Sequence, residues 1–224
     1  MKWVPKPEWQ GKDAYIIGGG PSLRGFDWNL FAGRYTVGCN SAFVLGPRVC
    51  SLCFFADEHW FHKNDTELKQ YVDAGGVAVT NCEYIPQTLP WVRNMARNMK
   101  GLTKDGTVYF GYGGNSGACT IHLALLMGAR RIFLFGFDGK LDREGNSNWH
   151  NRLVESPNPT VYRKFEQAFV EIAHTHGEVF PGTEIYNCNP DSAIPFFAFM
   201  DPHRALGLEQ DARLHQQAAH QLQD

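Results

Sequence analysis

The stretch Ala14-Tyr15-Ile16-Ile17-Gly18-Gly19-Gly20-Pro21-Ser22-Leu23 decides the fold. Four apolar residues run directly into three glycines, the signature of a buried strand that ends in a sharp turn. With no Cβ in the way, the successive amides of Gly18, Gly19 and Gly20 can point at an anion. Pro21 suits the first position of a helical turn and Ser22 follows it, so the positive end of a helix is expected to face the loop. Turns of this kind after the first strand of an α/β sheet usually hold phosphate or nucleotide, although a ligand-free β-to-α turn asks for the same residues. Leu23 stands where a Gly-x-Gly-x-x-Gly fingerprint has its third glycine, and no Lys-Ser/Thr pair follows. Neither a standard dinucleotide motif nor a P-loop is present.

The same transition recurs along the chain. Short apolar runs at 35–39, 52–56, 76–80, 108–110, 131–135 and 184–186 each end in a polar or glycine cluster, among them Asn40-Ser41, Asp57, Asn81, Asn115-Ser116-Gly117, Gly136-Phe137-Asp138 and Pro190-Asp191-Ser192. Helical periods fall between them. Asp65 or Thr66 can cap a helix carrying Leu68, Tyr71 and Val72. Asn115 or Ser116 can cap an almost wholly apolar one ending at Gly128, and Thr160 an amphipathic one through Phe165, Phe169 and Ile172. This predicts an α/β fold: a Rossmann-like, doubly wound, mostly parallel sheet with helices on both faces. Seven polar strand ends then line one crevice, where such folds bind ligands.

A chain of 224 residues with 43% hydrophobic content can bury one large core without a disulfide or metal. A single domain over residues 1–204 is expected, followed by a polar helical tail over 205–224. In that tail Leu214, Ala218 and Leu222 form a narrow stripe that could dock on a second copy and give a homo-oligomer. The formal net charge of -2 gives no basic field for nucleic acid or anionic lipid, which leaves small molecules as partners. Six scattered cysteines read as reduced core residues. Strand alternation puts Cys50 and Cys53 on opposite faces, against chelation or redox pairing. No apolar segment suits a signal peptide or a membrane span of ~18 residues, so a cytoplasmic protein is expected.

Between Asp138 and Thr160 lies a polar connection with no helical or strand period. A structureless loop above ~15 residues inside a compact domain is usually functional or disordered. Trp149 within it could stack on a sugar or base, and His150 could move a proton near neutral pH. His122, inside the apolar helix, reads as a core histidine, and His174 and His176 as solvated residues past a helix end. Asp57 and Asp138, both after strands, are the candidates for holding Mg²⁺ in a pyrophosphoryl transfer from ATP, although an Asp there commonly caps a helix.

The blocks Ile17 through Phe26, Val37 through Asn40, Asn115 through Asp138 and Ile185 through Phe197 together resemble the bacterial sialyltransferases built on a single Rossmann-like domain. They also resemble the wider group of 6-hydroxymethylpterin diphosphokinase-like proteins, which includes phage-encoded members. The sialyltransferase resemblance implies a nucleotide-sugar-dependent glycosyltransferase with a cytidine nucleotide donor and a glycan acceptor, and no required metal. Gly18, Gly19, Gly20, Pro21, Ser22, Asn40, Ser41, Asn115, Ser116, Gly117, Asp138, Pro190, Asp191 and Ser192 would hold the nucleotide, and His150 would be the general base. The pterin-kinase side implies an ATP- and Mg²⁺-dependent pyrophosphokinase instead. A non-catalytic nucleotide-binding protein on the same fold is the third reading. The chain departs from the sialyltransferases in two places: Gly19 replaces an asparagine in the first loop, and no tyrosine follows Asp138 before Tyr162. Lys140 or Arg152 could supply the missing stabilisation of a leaving phosphate.

Overall fold

A computed structural model describes residues 2–85, 89–111, 114–152 and 160–208. Its centre is a sheet of eight strands: β1 (Asp13–Ile17), β2 (Tyr35–Cys39), β3 (Leu52–Phe55), β4 (Val77–Thr80), β5 (Val92–Asn94), β8 (Arg131–Phe135), β9 (Glu184–Asn187) and β10 (Ala198–Phe199). Their order is β10-β9-β8-β1-β2-β3-β4-β5, and every described pairing is parallel. This is the Rossmann-like α/β architecture expected from the sequence. The strand order reverses between β1 and β8, so the Gly18–Gly20 turn and the Gly136-Phe137-Asp138 turn meet at the topological switch point.

One expected strand lies elsewhere. β7 (Val108–Tyr109) pairs with β6 (Arg97–Asn98) in a separate two-stranded sheet. Six of the seven expected strand ends therefore lie along one edge of the main sheet. The order of the polar turns is unchanged.

Alternation along the central strands feeds two cores. Ala14, Ile16, Val37, Phe54, Ile132 and Leu134 face α2 (Ser116–Leu126) and α3 (Thr160–Val179), while Tyr15, Ile17, Phe55, Phe133 and Phe135 face α1 (Glu58–Asp73) and the turns around Phe31 and Phe43. Helix α1 starts at Glu58, well before the Asp65 or Thr66 cap read from the sequence. Asp57 is the true cap, and its Oδ1 accepts the Trp60 amide at 2.6 Å. The segment between was misread because Lys63, Asn64 and Asp65 break the apolar stripe. α2 begins at its expected Asn115 cap. α3 runs past His174 and His176 to Val179, so those histidines sit within the helix; the His176 Nδ1 lies 3.0 Å from the Ile172 carbonyl.

All six cysteines are free and buried. Cys50 precedes β3, outside the strand alternation, so it lies in the same core cluster as Cys53 and not on the opposite face. Their thiols are separately engaged, with the Leu52 and Asn40 carbonyls, and burial pushes the Cys50 thiol up to about 12.

The folded body continues past residue 204. Ala205 and Leu206 are buried, and their carbonyls accept from the Tyr15 hydroxyl and the Arg34 guanidinium at 3.1 and 2.9 Å. The expected tail from 209 to 224, with its oligomer stripe, lies outside the described residues. No helix among the described residues is long and apolar enough to cross a membrane.

Candidate functional site at the switch point

The glycine turn is shaped first by its neighbour, β8. A Cβ on Gly18 would stand 2.5 Å from the Gly136 carbonyl, and one on Gly20 would stand 2.6 Å from the same oxygen and collide with the Asp138 carboxylate. These two glycines are therefore required for close approach of two backbones. Gly19 differs, because a Cβ there would meet only the His150 Nε2, at 4.0 Å.

The turn's amides are mostly spoken for. Gly18 N and Gly20 N donate to the Phe135 and Gly136 carbonyls at 2.8 Å, and Ser22 N donates to Asp138 Oδ2 at 2.8 Å. Gly19 N–H is left without a partner among the described residues. Pro21 opens a single 3₁₀ turn, Pro21–Leu23, too short to carry the macrodipole that a full helix would aim at the loop. An anion at this turn would rest on Gly19 and on side chains brought in from elsewhere.

Asp138 is the hub of the β1–β8–β9 side. It is 5% exposed, and its carboxylate accepts from Ser22 N, from Ser22 Oγ at 2.6 Å and from Asn189 Nδ2 at 2.9 Å. Ser192 Oγ donates to the Phe137 carbonyl at 2.6 Å and accepts from Asn187 Nδ2 and Ile194 N, which stitches the Pro190-Asp191-Ser192 turn to the end of β8. Asn187 and Asn189, absent from the sequence-based set, carry that network. Tyr162, in the first turn of α3, is close enough for the Asp138 charge to add to burial in raising its phenol.

Asp57 and Asp138 do not form a pair. Three strand spacings of about 4.8 Å separate β8 from β3, roughly 14 Å, too far for one ion. Each carboxylate already accepts hydrogen bonds from the protein. Among the described residues no cluster of three His, Cys, Asp or Glu side chains could hold a metal.

Residues 148, 149 and 151 of the long connection bond to the first loop and to Arg24 after it. Trp149 Nε1 donates to the Gly18 carbonyl at 2.9 Å, Trp149 N to the Gly19 carbonyl at 3.0 Å, and Arg24 reaches the Asn148 carbonyl and Asn151 Oδ1. Trp149 packs its ring on Trp28, with centroids 4.6 Å apart, so it braces the glycine turn and is not a free stacking platform. Residues 153–159 lie outside the described residues.

His150 is thereby set over Gly19. Its Nδ1 accepts the Arg152 amide at 3.0 Å. Burial and then the nearby Arg152 charge push the imidazole down to about 4, so it is neutral at pH 7. A neutral ring that accepts at Nδ1 carries its proton on Nε2, the atom facing Gly19. Arg152 turns its guanidinium to Glu67 at 2.9 Å and Asn64 at 3.3 Å, and Lys140 is exposed.

The remaining candidates sit toward β2 and α2. Asn115 is 4% exposed; its Oδ1 caps Gly117 N and Ala118 N, and its Nδ2 donates to the Phe165 carbonyl. Gly117 packs closely on the Phe137 ring, 3.0 Å from its Cβ position, and Ser116 is half-buried. Ser41 is buried and accepts from Trp60 Nε1 at 3.4 Å. Asn40 takes a left-handed backbone, φ 49°, and its Oδ1 is buried without a partner among the described residues. His122 is the core residue its position suggests: Nδ1 accepts the Tyr109 amide at 2.8 Å, and burial pushes its pKa down to about 4. An open cleft lined by Pro7, Leu126, Gly128 and Phe180 lies at the opposite edge of the sheet and holds none of these residues.

No protein-family profile matches the chain, and no curated protein matches it. Among solved structures it is similar to the sialyltransferase CstII from Campylobacter jejuni in complex with cytidine-5'-monophosphate, at 14% identity and a TM-score of 0.53 over 86% of each chain. It is equally similar to the CMP-3FNeuAc complex of that enzyme, at 14% identity and TM-score 0.53 over 85% of this chain and 86% of that one. A CST-II variant in complex with CMP aligns at 13% identity and TM-score 0.50, over 85% and 86% of the two chains. At these identities the likeness establishes a shared fold: the chain has the Rossmann-like α/β fold seen in these sialyltransferases.

Proposed function

We propose that the chain is a glycosyltransferase that takes a cytidine nucleotide sugar as donor and a glycan hydroxyl as acceptor. The observation that carries this reading is the position of His150: a neutral imidazole whose Nε2 stands 4.0 Å from the Cβ position of Gly19, at the switch point of a fold whose solved neighbours hold CMP. The leaving phosphate would lie against the Gly19 amide, with the imidazole beside it. Tyr162, near Asp138, is the side chain best placed to take over from the tyrosines that the sialyltransferases carry after this strand end.

His150 serves in this reading as the base for the acceptor hydroxyl. That role needs a lone pair on Nε2 and a proton on Nδ1, the reverse of the tautomer the Arg152 amide favours. Loss of that amide contact when donor binds is therefore part of the proposal. The departing phosphate is offset by hydrogen-bond donors and not by a required metal. The test is His150→Ala: turnover of CMP-sugar is lost while CMP binding is kept. Retained turnover would remove His150 from the reaction, and CMP binding without turnover of any donor by the wild-type protein would leave a nucleotide-binding protein.

A further inference from the structure

Asn81 follows β4 at the same edge of the sheet and is 1% exposed. Its Nδ2 lies 3.7 Å from the Cys119 sulfur. The Cys119 S–H is directed to the Tyr109 carbonyl at 3.3 Å, so only sulfur lone pairs face Asn81, which fixes its carboxamide with nitrogen toward α2. Oδ1 is then a buried acceptor with no hydrogen-bond partner among the described residues. Asn40 Oδ1, at the end of β2, is in the same state. Both residues are tied to one stretch of α2, since Cys39 beside Asn40 meets the Thr120 hydroxyl at 3.4 Å and Asn81 meets Cys119.

Buried carbonyl oxygens are almost always paired, so two orphans at one end of a sheet call for an explanation. Neither can accept from the other, and neither can bind a phosphate or carboxylate, which brings only acceptors at neutral pH. They need a partner that donates. Two strand spacings, roughly 10 Å, separate β2 from β4, so the partner must be extended.

We infer that Asn81 and Asn40 form an acceptor-only subsite for hydroxyl or amide N–H groups of the transferred sugar. This rests on the nucleotide-sugar reading above. It divides the edge of the sheet by chemistry: a donor at the Gly19 amide for the phosphate, acceptors at Asn40 and Asn81 for the sugar.

The test compares CMP with CMP-3FNeuAc on wild-type protein and on Asn81→Leu, which keeps the shape and removes the acceptor. The wild-type protein should bind the sugar-bearing probe more tightly than CMP. In Asn81→Leu that advantage should fall roughly tenfold while the CMP Kd changes less than twofold, and the unliganded Tm should hold or rise because a buried unpaired group is gone. Should the Leu variant fail to fold, Asn81→Ala and Asn40→Gly give the same comparison. Equal weakening of both probes would place Asn81 on the nucleotide, and unchanged affinities with a lowered Tm would make it structural; either result overturns the inference alone. A wild-type protein that binds neither probe overturns the nucleotide-sugar reading and the inference with it.

Discussion

The backbone amide of Arg152 donates to the Nδ1 of His150 at 3.0 Å, and that bond decides which face of the imidazole can do chemistry. With its pKa down at about 4, His150 needs no deprotonation at neutral pH to act on an acceptor. The acid limb of kcat/KM against pH, which reports the free protein, is therefore expected near 4 and not near 6.5. A limb near 6.5 would mean that another group, or a fully solvated His150, governs the rate.

His150 and His122 also set an acid limit on stability. Both are depressed from about 6.5 to about 4, so below 6.5 the unfolded chain binds more protons than the folded one. Their stabilising effect is complete above pH 6.5 and is lost as pH falls toward 4. For the more deeply buried His122 the loss amounts to about 3 kcal/mol. Urea midpoints measured from pH 7 to pH 4 should fall, and His122→Gln should flatten the slope by about one proton. An unchanged slope would show that His122 titrates normally.

The three loop glycines should respond differently to alanine. Gly18→Ala and Gly20→Ala drive a Cβ into the β8 turn and should each cost roughly 1–3 kcal/mol. Gly19 has room and no positive φ, so Gly19→Ala should be neutral or stabilising by up to about 1 kcal/mol. Gly19→Asn should fold as well. Thermal melts of the four variants decide the matter, and equal losses at all three positions would contradict this packing.

Asp57 and Asp138 should separate as structural groups of unequal weight. Asp57→Ala removes a helix cap and should cost about 1 kcal/mol without altering nucleotide affinity. Asp138→Ala strands Ser22 and Asn189 and should cost about 3 kcal/mol, a Tm fall of roughly 6–12 °C. Loss of Mg²⁺-dependent ATP binding in both variants would instead support the pyrophosphokinase.

Six strands were legible because each is a short apolar run that stops at a polar turn. β5, β6 and β10 were not: they are two or three residues long, and Arg93 interrupts the only apolar signal in β5. β7 reads like a core strand because Val108 and Tyr109 are buried, but nothing in a run of that length says which sheet it joins. At the site, the glycine turn, Asp138 and His150 were visible as residue types after strands. Their bonding was not, because the Ser22–Asp138 and Trp149–Gly18 contacts join positions more than a hundred residues apart. Asn81 ends β4 as Asn40 ends β2, so the pattern was in the sequence; only the orphaned oxygen distinguishes it from a turn residue.

The most direct test of the central claim is a thermal melt of the wild-type chain with CMP in metal-free buffer, beside ATP with and without Mg²⁺. At ~100 times its Kd, CMP should stabilise by ~2.7 kcal/mol, a rise of roughly 5–10 °C. A shift of that size with CMP and no added metal is the result the account requires. No shift with CMP, together with a shift from ATP and Mg²⁺, would contradict it and point to phosphoryl chemistry at the same turn.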